Sequence, residues 1–109
     1  MPEGREDDAR AFYRDVLGLK EIEKPETLAR RGGAWFSGGT LQIHLGVEQE
    51  FHPARKAHPA LLVKGLGELV RRCESSGYRT IRDDLLPGYD RYYVYDPFGN
   101  RIELMEPKR

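Results

Sequence analysis

Tyr92-Tyr93-Val94-Tyr95-Asp96-Pro97-Phe98-Gly99-Asn100-Arg101-Ile102-Glu103-Leu104 reads as strand, tight turn, strand. Asp96-Pro97 and Gly99-Asn100 are turn chemistry: Pro fixes φ, and Gly or Asn accepts positive φ. Beyond the turn, Ile102 and Leu104 alternate with Glu103, and alternate residues of a strand point to opposite faces. Glu103 is therefore expected on the face opposite the apolar one. A carboxylate held there is a candidate ligand for a metal or a substrate. In an arbitrary protein the same residue is a solvated Glu on an exposed strand.

Working outward, two amphipathic helices are predicted. In Glu6–Leu17, the residues Ala9, Phe12, Tyr13, Val16 and Leu17 fall on one face, and Gly18 is the stop. Glu6, Asp7 and Asp8 occupy the first turn, where negative charge suits the helix dipole. In Leu66–Ser76, the residues Leu66, Leu69, Val70 and Cys73 repeat the spacing and Gly77 ends it. Three strands are expected after each helix. In the first half these open at Gly18-Leu19-Lys20, then run over about 29–36 and 41–47. In the second they open at Gly77-Tyr78-Arg79, then run over about 91–95 and 101–106.

The offset of about sixty residues lays Leu41-Gln42-Ile43-His44 on Ile102-Glu103-Leu104-Met105, with Gln42 opposite Glu103. The second half also has a strand before its helix, His58–Val63, which the first half lacks. The predicted fold is α+β: two β-α-β-β-β repeats forming an open, partly closed mixed-sheet barrel, with the first strand missing. The chain reads as a single domain, 1–109, with half-repeats at about 1–48 and 57–109 and a connector at 49–56.

Composition narrows the class. Charged residues are 33% and hydrophobic ones 39%, with zero net charge. The Arg pairs at 30–31 and 71–72 read as solvated faces, so no nucleic-acid footprint is expected. No apolar run approaches the roughly 20 residues of a membrane span, so no membrane partner is expected. The start, Met1-Pro2-Glu3-Gly4-Arg5, has no signal-peptide core. A lone cysteine, Cys73, rules out an internal disulfide and falls on a helix's apolar stripe. A cytoplasmic location is expected. There is no Gly-rich phosphate loop, Cys-pair zinc motif or Gly-x-Ser-x-Gly elbow.

Asp96-Pro97-Phe98-Gly99-Asn100-Arg101-Ile102-Glu103-Leu104 resembles the closing hairpin of the vicinal-oxygen-chelate superfamily. That group includes glyoxalase I, bleomycin- and fosfomycin-resistance proteins and extradiol dioxygenases. Ala11-Phe12-Tyr13-Arg14-Asp15-Val16-Leu17-Gly18-Leu19 resembles its first helix, and His58-Pro59-Ala60-Leu61-Leu62-Val63 the strand opening its second half. The resemblance spans nearly the whole chain but is not specific for one reaction.

It implies metal ligands from the first and last strands of each half: His58 and Glu103 as ligands, with Glu103 also catalytic; His58 is equally readable as an ordinary polar residue at a strand start, hydrogen-bonded to Glu103. Gln42 would hold the last-strand position of the first half. The remaining ligand would sit on the missing strand. Imidazole and carboxylate suit Zn, Ni, Mn or Fe, and a three-ligand face leaves room for substrate oxygens.

With two ligands, this chain is expected to hold a divalent metal weakly or not at all. Gln42, His44, Tyr93, Tyr95 and Arg91 are candidate substrate-binding residues, with His44 otherwise a polar cup-lining or surface residue, Tyr93 and Tyr95 equally core residues, and Arg91 otherwise in an exposed salt bridge. Trp35 is expected in the core, and His52 in solvent.

Two functions remain open, beside a truncated or decayed member whose fold persists without activity. One is a divalent-metal-dependent lyase, isomerase or dioxygenase acting on a small oxygenated molecule. The other is a metal-free binder of a drug-like or aromatic compound, of the bleomycin-resistance type. The expected partners are a small-molecule ligand and a second copy of the chain, as a homodimer.

Overall fold

The apolar stripe of the first helix is buried as its spacing requires, but the helix changes its winding midway. The computed structural model describes residues Met1–Arg109. Helix α1, Glu6–Ala9, runs into a π-helical turn, Arg10–Arg14. There Asp15 N–H donates to the Arg10 carbonyl at 3.1 Å and Leu17 N–H to the Phe12 carbonyl at 2.9 Å, each reaching back five residues. Ala9, Phe12, Tyr13 and Val16 are all buried. Tyr13 stacks on Phe36 with ring centroids 5.5 Å apart and meets Phe12 edge-on at 4.9 Å. Arg10 forks onto Glu21 at 2.8 and 3.1 Å, tying the helix to strand β1, Lys20–Ile22.

The chain divides into two units, Met1–His52 and Pro53–Arg109, and the division falls inside the connector read from the sequence. The first unit holds an antiparallel sheet in the order β1-β2-β3, with β2 at Ala34–Gly38 and β3 at Leu41–Leu45. The strand expected from Ala29 begins only at Ala34, because a short helix, α2 (Glu26–Ala29), precedes it. Gly32 and Gly33 then interrupt the extended chain, with φ of +73° and +83°. A Cβ on Gly33 would lie 2.0 Å from the Leu45 carbonyl oxygen, so only glycine allows this backbone approach.

No strand precedes α1. Instead, the α-ammonium of Met1 donates to the Gly46 carbonyl at 2.7 Å and Glu48 N–H donates to the Met1 carbonyl at 3.0 Å. These are the two bonds a parallel neighbour makes on either side of one residue, here Val47.

The second unit is a complete β-α-β-β-β module. Strand β4 (Ala60–Leu62) is followed by α3 (Leu66–Ser75), β5 (Thr80–Asp83), β6 (Tyr89–Tyr95) and β7 (Arg101–Pro107). The sheet order is β4-β7-β6-β5, with β4 parallel to β7 and the rest antiparallel. Leu66, Leu69, Val70 and Cys73 of α3 are buried, as are Leu61, Val94, Ile102 and Leu104 of the sheet.

Both ends of α3 are closed by neighbours. Glu106 of β7 accepts the Gly65 and Leu66 N–H groups at 2.8 and 3.3 Å. At the other end Tyr78 N–H reaches the Cys73 carbonyl at 2.9 Å past Gly77, whose φ is +88°. The fold is thus mixed α+β, with two sheets, few helices and no closed barrel. No helix is long and apolar enough to cross a membrane.

Candidate functional site

The β6–β7 turn is organised by one buried carboxylate. Asp96 accepts Phe98 N–H at 2.9 Å, Asn100 N–H at 2.8 Å and the Asn100 side-chain amide at 2.8 Å. The turn sets the register of the hairpin, pairing Tyr95 with Arg101, Tyr93 with Glu103 and Arg91 with Met105. The even spacing of strand side chains then puts Arg91, Tyr93, Tyr95, Arg101 and Glu103 on one face. Ile102, Leu104 and Val94 go to the opposite, buried face. Parallel pairing of Ala60 with Glu103 brings His58, two residues earlier, onto the Glu103 face.

His58 and Glu103, 45 residues apart, meet directly. His58 Nε2 lies 2.9 Å from Glu103 Oε1, and His58 Nδ1 lies 2.6 Å from the Lys56 carbonyl oxygen. The Glu103 side chain is 8% exposed and that of His58 21%. The other carboxylate oxygen, Oε2, is 3.3 Å from Arg91 Nη1. Arg91 also donates to Asp83 Oδ1 from Nε at 3.1 Å and Nη2 at 2.9 Å. The Leu85 backbone N–H and the Arg91 guanidinium hold the Asp83 carboxyl below the usual range, and the bond to Asp83 raises Arg91 in turn. Arg91, read from the sequence as a substrate contact or an exposed salt bridge, is thus a largely covered tie between two carboxylates.

Tyr93 and Tyr95 are half-buried on this face. Tyr93 meets His58 edge-on, ring centroids 5.4 Å apart. No group of three or more His, Cys, Asp and Glu side chains comes together. Cys73 is fully buried, and burial pushes its thiol up, which suits packing and not nucleophilic attack.

In the first unit the ladders change the expected repeat. Lys20 pairs with Ser37 and Ile22 with Trp35, as Arg79 meets Tyr95 and Ile81 pairs with Tyr93. Trp35 therefore matches Tyr93, and its partner His44 matches Glu103. Gln42 matches Arg101, two residues from its expected place.

Trp35 is not in the core. It lies half-buried on the face opposite Phe36, stacked on His44 with ring centroids 3.6 Å apart. His44 Nε2 bonds Gln42 Oε1 at 2.9 Å. A cavity of about 410 Å³ borders Trp35 and His44, also lined by Lys24, Leu28, Arg31 and Val47. Lys24 donates its ammonium to the Gly32 carbonyl. His52 is exposed, as expected.

The comparisons with known proteins agree with this architecture. The Glyoxalase/Bleomycin resistance protein/Dioxygenase superfamily matches residues 4–104. A curated relative from Arabidopsis thaliana, named Glyoxylase I 4, is 30% identical over 109 residues, covering 90% of this chain and 62% of its own. This chain thus spans about three fifths of that relative's length.

A solved structure from Bacillus anthracis, named for the glyoxalase family, is 50% identical with a TM-score of 0.94. The match covers 99% of this chain and 88% of that one. A lactoylglutathione lyase from Agrobacterium tumefaciens shares the fold at 24% identity, with a TM-score of 0.72 and coverage of 97% and 88%.

Proposed function

Because the chain belongs to the glyoxalase/bleomycin resistance protein/dioxygenase superfamily, we propose that it is a divalent-metal-assisted lyase, isomerase or dioxygenase acting on a small oxygenated molecule. His58 and Glu103 are then two of the metal's ligands. One observation carries the reading: both nitrogens of His58 face acceptors. The Lys56 carbonyl can only accept, so Nδ1 carries a hydrogen and Nε2 is directed at the Glu103 carboxylate. The contact between Nε2 and Oε1 is satisfied by a shared hydrogen or by a metal ion.

The pair fits a metal in donor chemistry. Two donors 2.9 Å apart match neighbouring ligands each about 2.1 Å from one ion. The Lys56 carbonyl orients the ring as outer partners of metal-bound histidines do. Zn, Ni, Mn or Fe would suit this imidazole-carboxylate pair, and the bound ion would polarise vicinal oxygens of the substrate. Glu103 Oε1 is the group placed to take up a substrate proton when it is not engaged by the metal. Arg91 holds Oε2 and so fixes the carboxylate plane. Tyr93 walls the site beside His58. Waters or substrate oxygens would have to complete the ligand set.

A second reading, a metal-free binder of a drug-like or aromatic compound, is favoured by Arg91, whose positive charge lies 3.3 Å from Glu103 Oε2. Titrating chelator-stripped protein with Zn, Ni or Mn separates the two. Melting temperature should rise slightly, since stabilisation follows the logarithm of ligand over dissociation constant. His58→Ala should abolish the rise and His52→Ala should retain it. A flat response to every metal would leave the binder reading.

A homodimer is part of the proposal, supported by the exposed apolar residue Leu62 on edge strand β4, 69% exposed. A lone buried thiol fits a reducing compartment such as the cytoplasm.

A further inference from the structure

We infer that Arg101, assisted by Arg79, forms an anion-binding subsite beside the His58–Glu103 pair. The ligand of this face is then a small oxygenated molecule with a carboxylate, phosphonate or phosphate end. The inference rests on the reading of His58 and Glu103 as the reacting centre.

Arg91, Tyr93, Arg101, Tyr95 and Arg79 form an alternating stack of cations and rings. Arg91 lies 5.3 Å and Arg101 4.8 Å from the Tyr93 centroid. Arg101 lies 5.8 Å and Arg79 4.8 Å from that of Tyr95. Such contacts favour the cations but do not neutralise them. The two carboxylates on the face, Asp83 and Glu103, are both bonded to Arg91. Arg101 and Arg79 have neither an ion pair nor a hydrogen bond from their side chains.

The position of Arg101 is the more telling. Its Nε is buried without any acceptor, so the guanidinium is partly stripped of water with nothing given in return. Tyr93 and Tyr95 lie beside the guanidinium, and its two Nη groups, unlike Nε, are left for a ligand. A guanidinium edge matches the paired oxygens of a carboxylate or phosphate.

The spacing sets the ligand's size. Arg101 and Glu103 are two residues apart on one strand face, about 6.5–7 Å along the strand. An anionic group at Arg101 would place an adjoining hydroxyl or carbonyl near His58 and Glu103, with Tyr93 as the floor between. An anion one or two carbons from the reacting oxygen spans that gap.

Isothermal titration with glycolate, inorganic phosphate and the neutral analogue glycolamide tests this. Saturable binding of glycolate or phosphate is expected, with none for glycolamide. The stronger of the two anions identifies the end group. Arg101→Gln should weaken the binding about tenfold or more, Arg101→Lys should restore part of it, and Arg79→Gln should have a smaller effect. Tyr95→Leu removes a stacking ring without touching the charge, and should weaken binding even if Arg101→Gln fails to fold.

His58→Ala should lose the metal response and keep anion binding, so the two proposals fail separately. Absence of saturable anion binding to the parent protein would overturn the subsite. So would unchanged affinity in Arg101→Gln, or in Tyr95→Leu where Arg101→Gln does not fold.

Discussion

Replacing Asp96 with Ala should destabilise the protein by several kcal/mol, as much as truncating a buried apolar residue of the β6–β7 hairpin. The Asp96 residue is 5% exposed, and its carboxylate accepts two backbone N–H groups and one side-chain amide at 2.8–2.9 Å. Bonds to a charged acceptor contribute about 1.5–3 kcal/mol each, and the donors left behind cost about 1–3 kcal/mol apiece where water cannot reach them. Phe98 is itself buried, so its N–H has little access to solvent, whereas the Asn100 amide can turn to water. Counting the Phe98 donor fully and the Asn100 donors in part gives about 3–4 kcal/mol. For a domain of this size that is a fall of roughly 12–18 °C in melting temperature. Asp96→Asn keeps the oxygen that holds both backbone donors but turns an amide toward the Asn100 amide, so about half the loss is expected. Circular dichroism melts of the three proteins decide the matter. A change within about 0.5 kcal/mol for Asp96→Ala, the usual range for a surface site, would refute the claim that this carboxylate builds the turn.

Phe12→Ala should cost about 3–5 kcal/mol in urea unfolding, because Phe12 is fully buried and packs edge-on against Tyr13; a loss under 1 kcal/mol would mean the site collapses freely. The acid limb of stability should depend on Asp83, whose folded carboxyl is held low by the Leu85 N–H and then by Arg91. Its contribution is fully present above the unfolded value of about 3.9 and is lost as pH falls through the lower folded value. Parallel melts from pH 5 to pH 2 should therefore show the advantage over Asp83→Asn shrinking below about pH 4; a constant gap would contradict this. Light scattering at high micromolar concentration should report a dimer, and Leu62→Lys on the exposed β4 edge should shift it toward monomer, whereas a monomeric parent protein would remove the dimer from the proposal.

Local pattern was enough for much of the fold. The stripe Ala9, Phe12, Tyr13 and Val16 and the stripe Leu66, Leu69, Val70 and Cys73 are buried as their spacing requires, since a helix side chain's direction follows from its position in the turn. The hairpin was legible for a similar reason: Asp96, Pro97, Gly99 and Asn100 make a turn through bonds among near neighbours. The meeting of His58 with Glu103 followed from the strand alternation of each, once the resemblance put β4 beside β7.

Tertiary structure decided everything that depends on register or on distant partners. Leu41-Gln42-Ile43-His44 alternates equally well in two registers separated by two residues, so periodicity could not choose between Gln42 and His44 as the match to Glu103. Pairing with β2 chose His44. The same ambiguity of parity hid the face of Trp35, since either neighbour set of an alternating strand can be the buried one. The two glycines at 32 and 33 were visible in the sequence, but only the approach of the Leu45 carbonyl explains why the strand waits for Ala34. The charge ledger of the site was least legible of all. Arg91, Arg101 and Arg79 are chemically alike along the chain. The two flanking strands give Arg91 its partners, Asp83 from β5 and Glu103 from β7, and leave the other two cations without an ion pair.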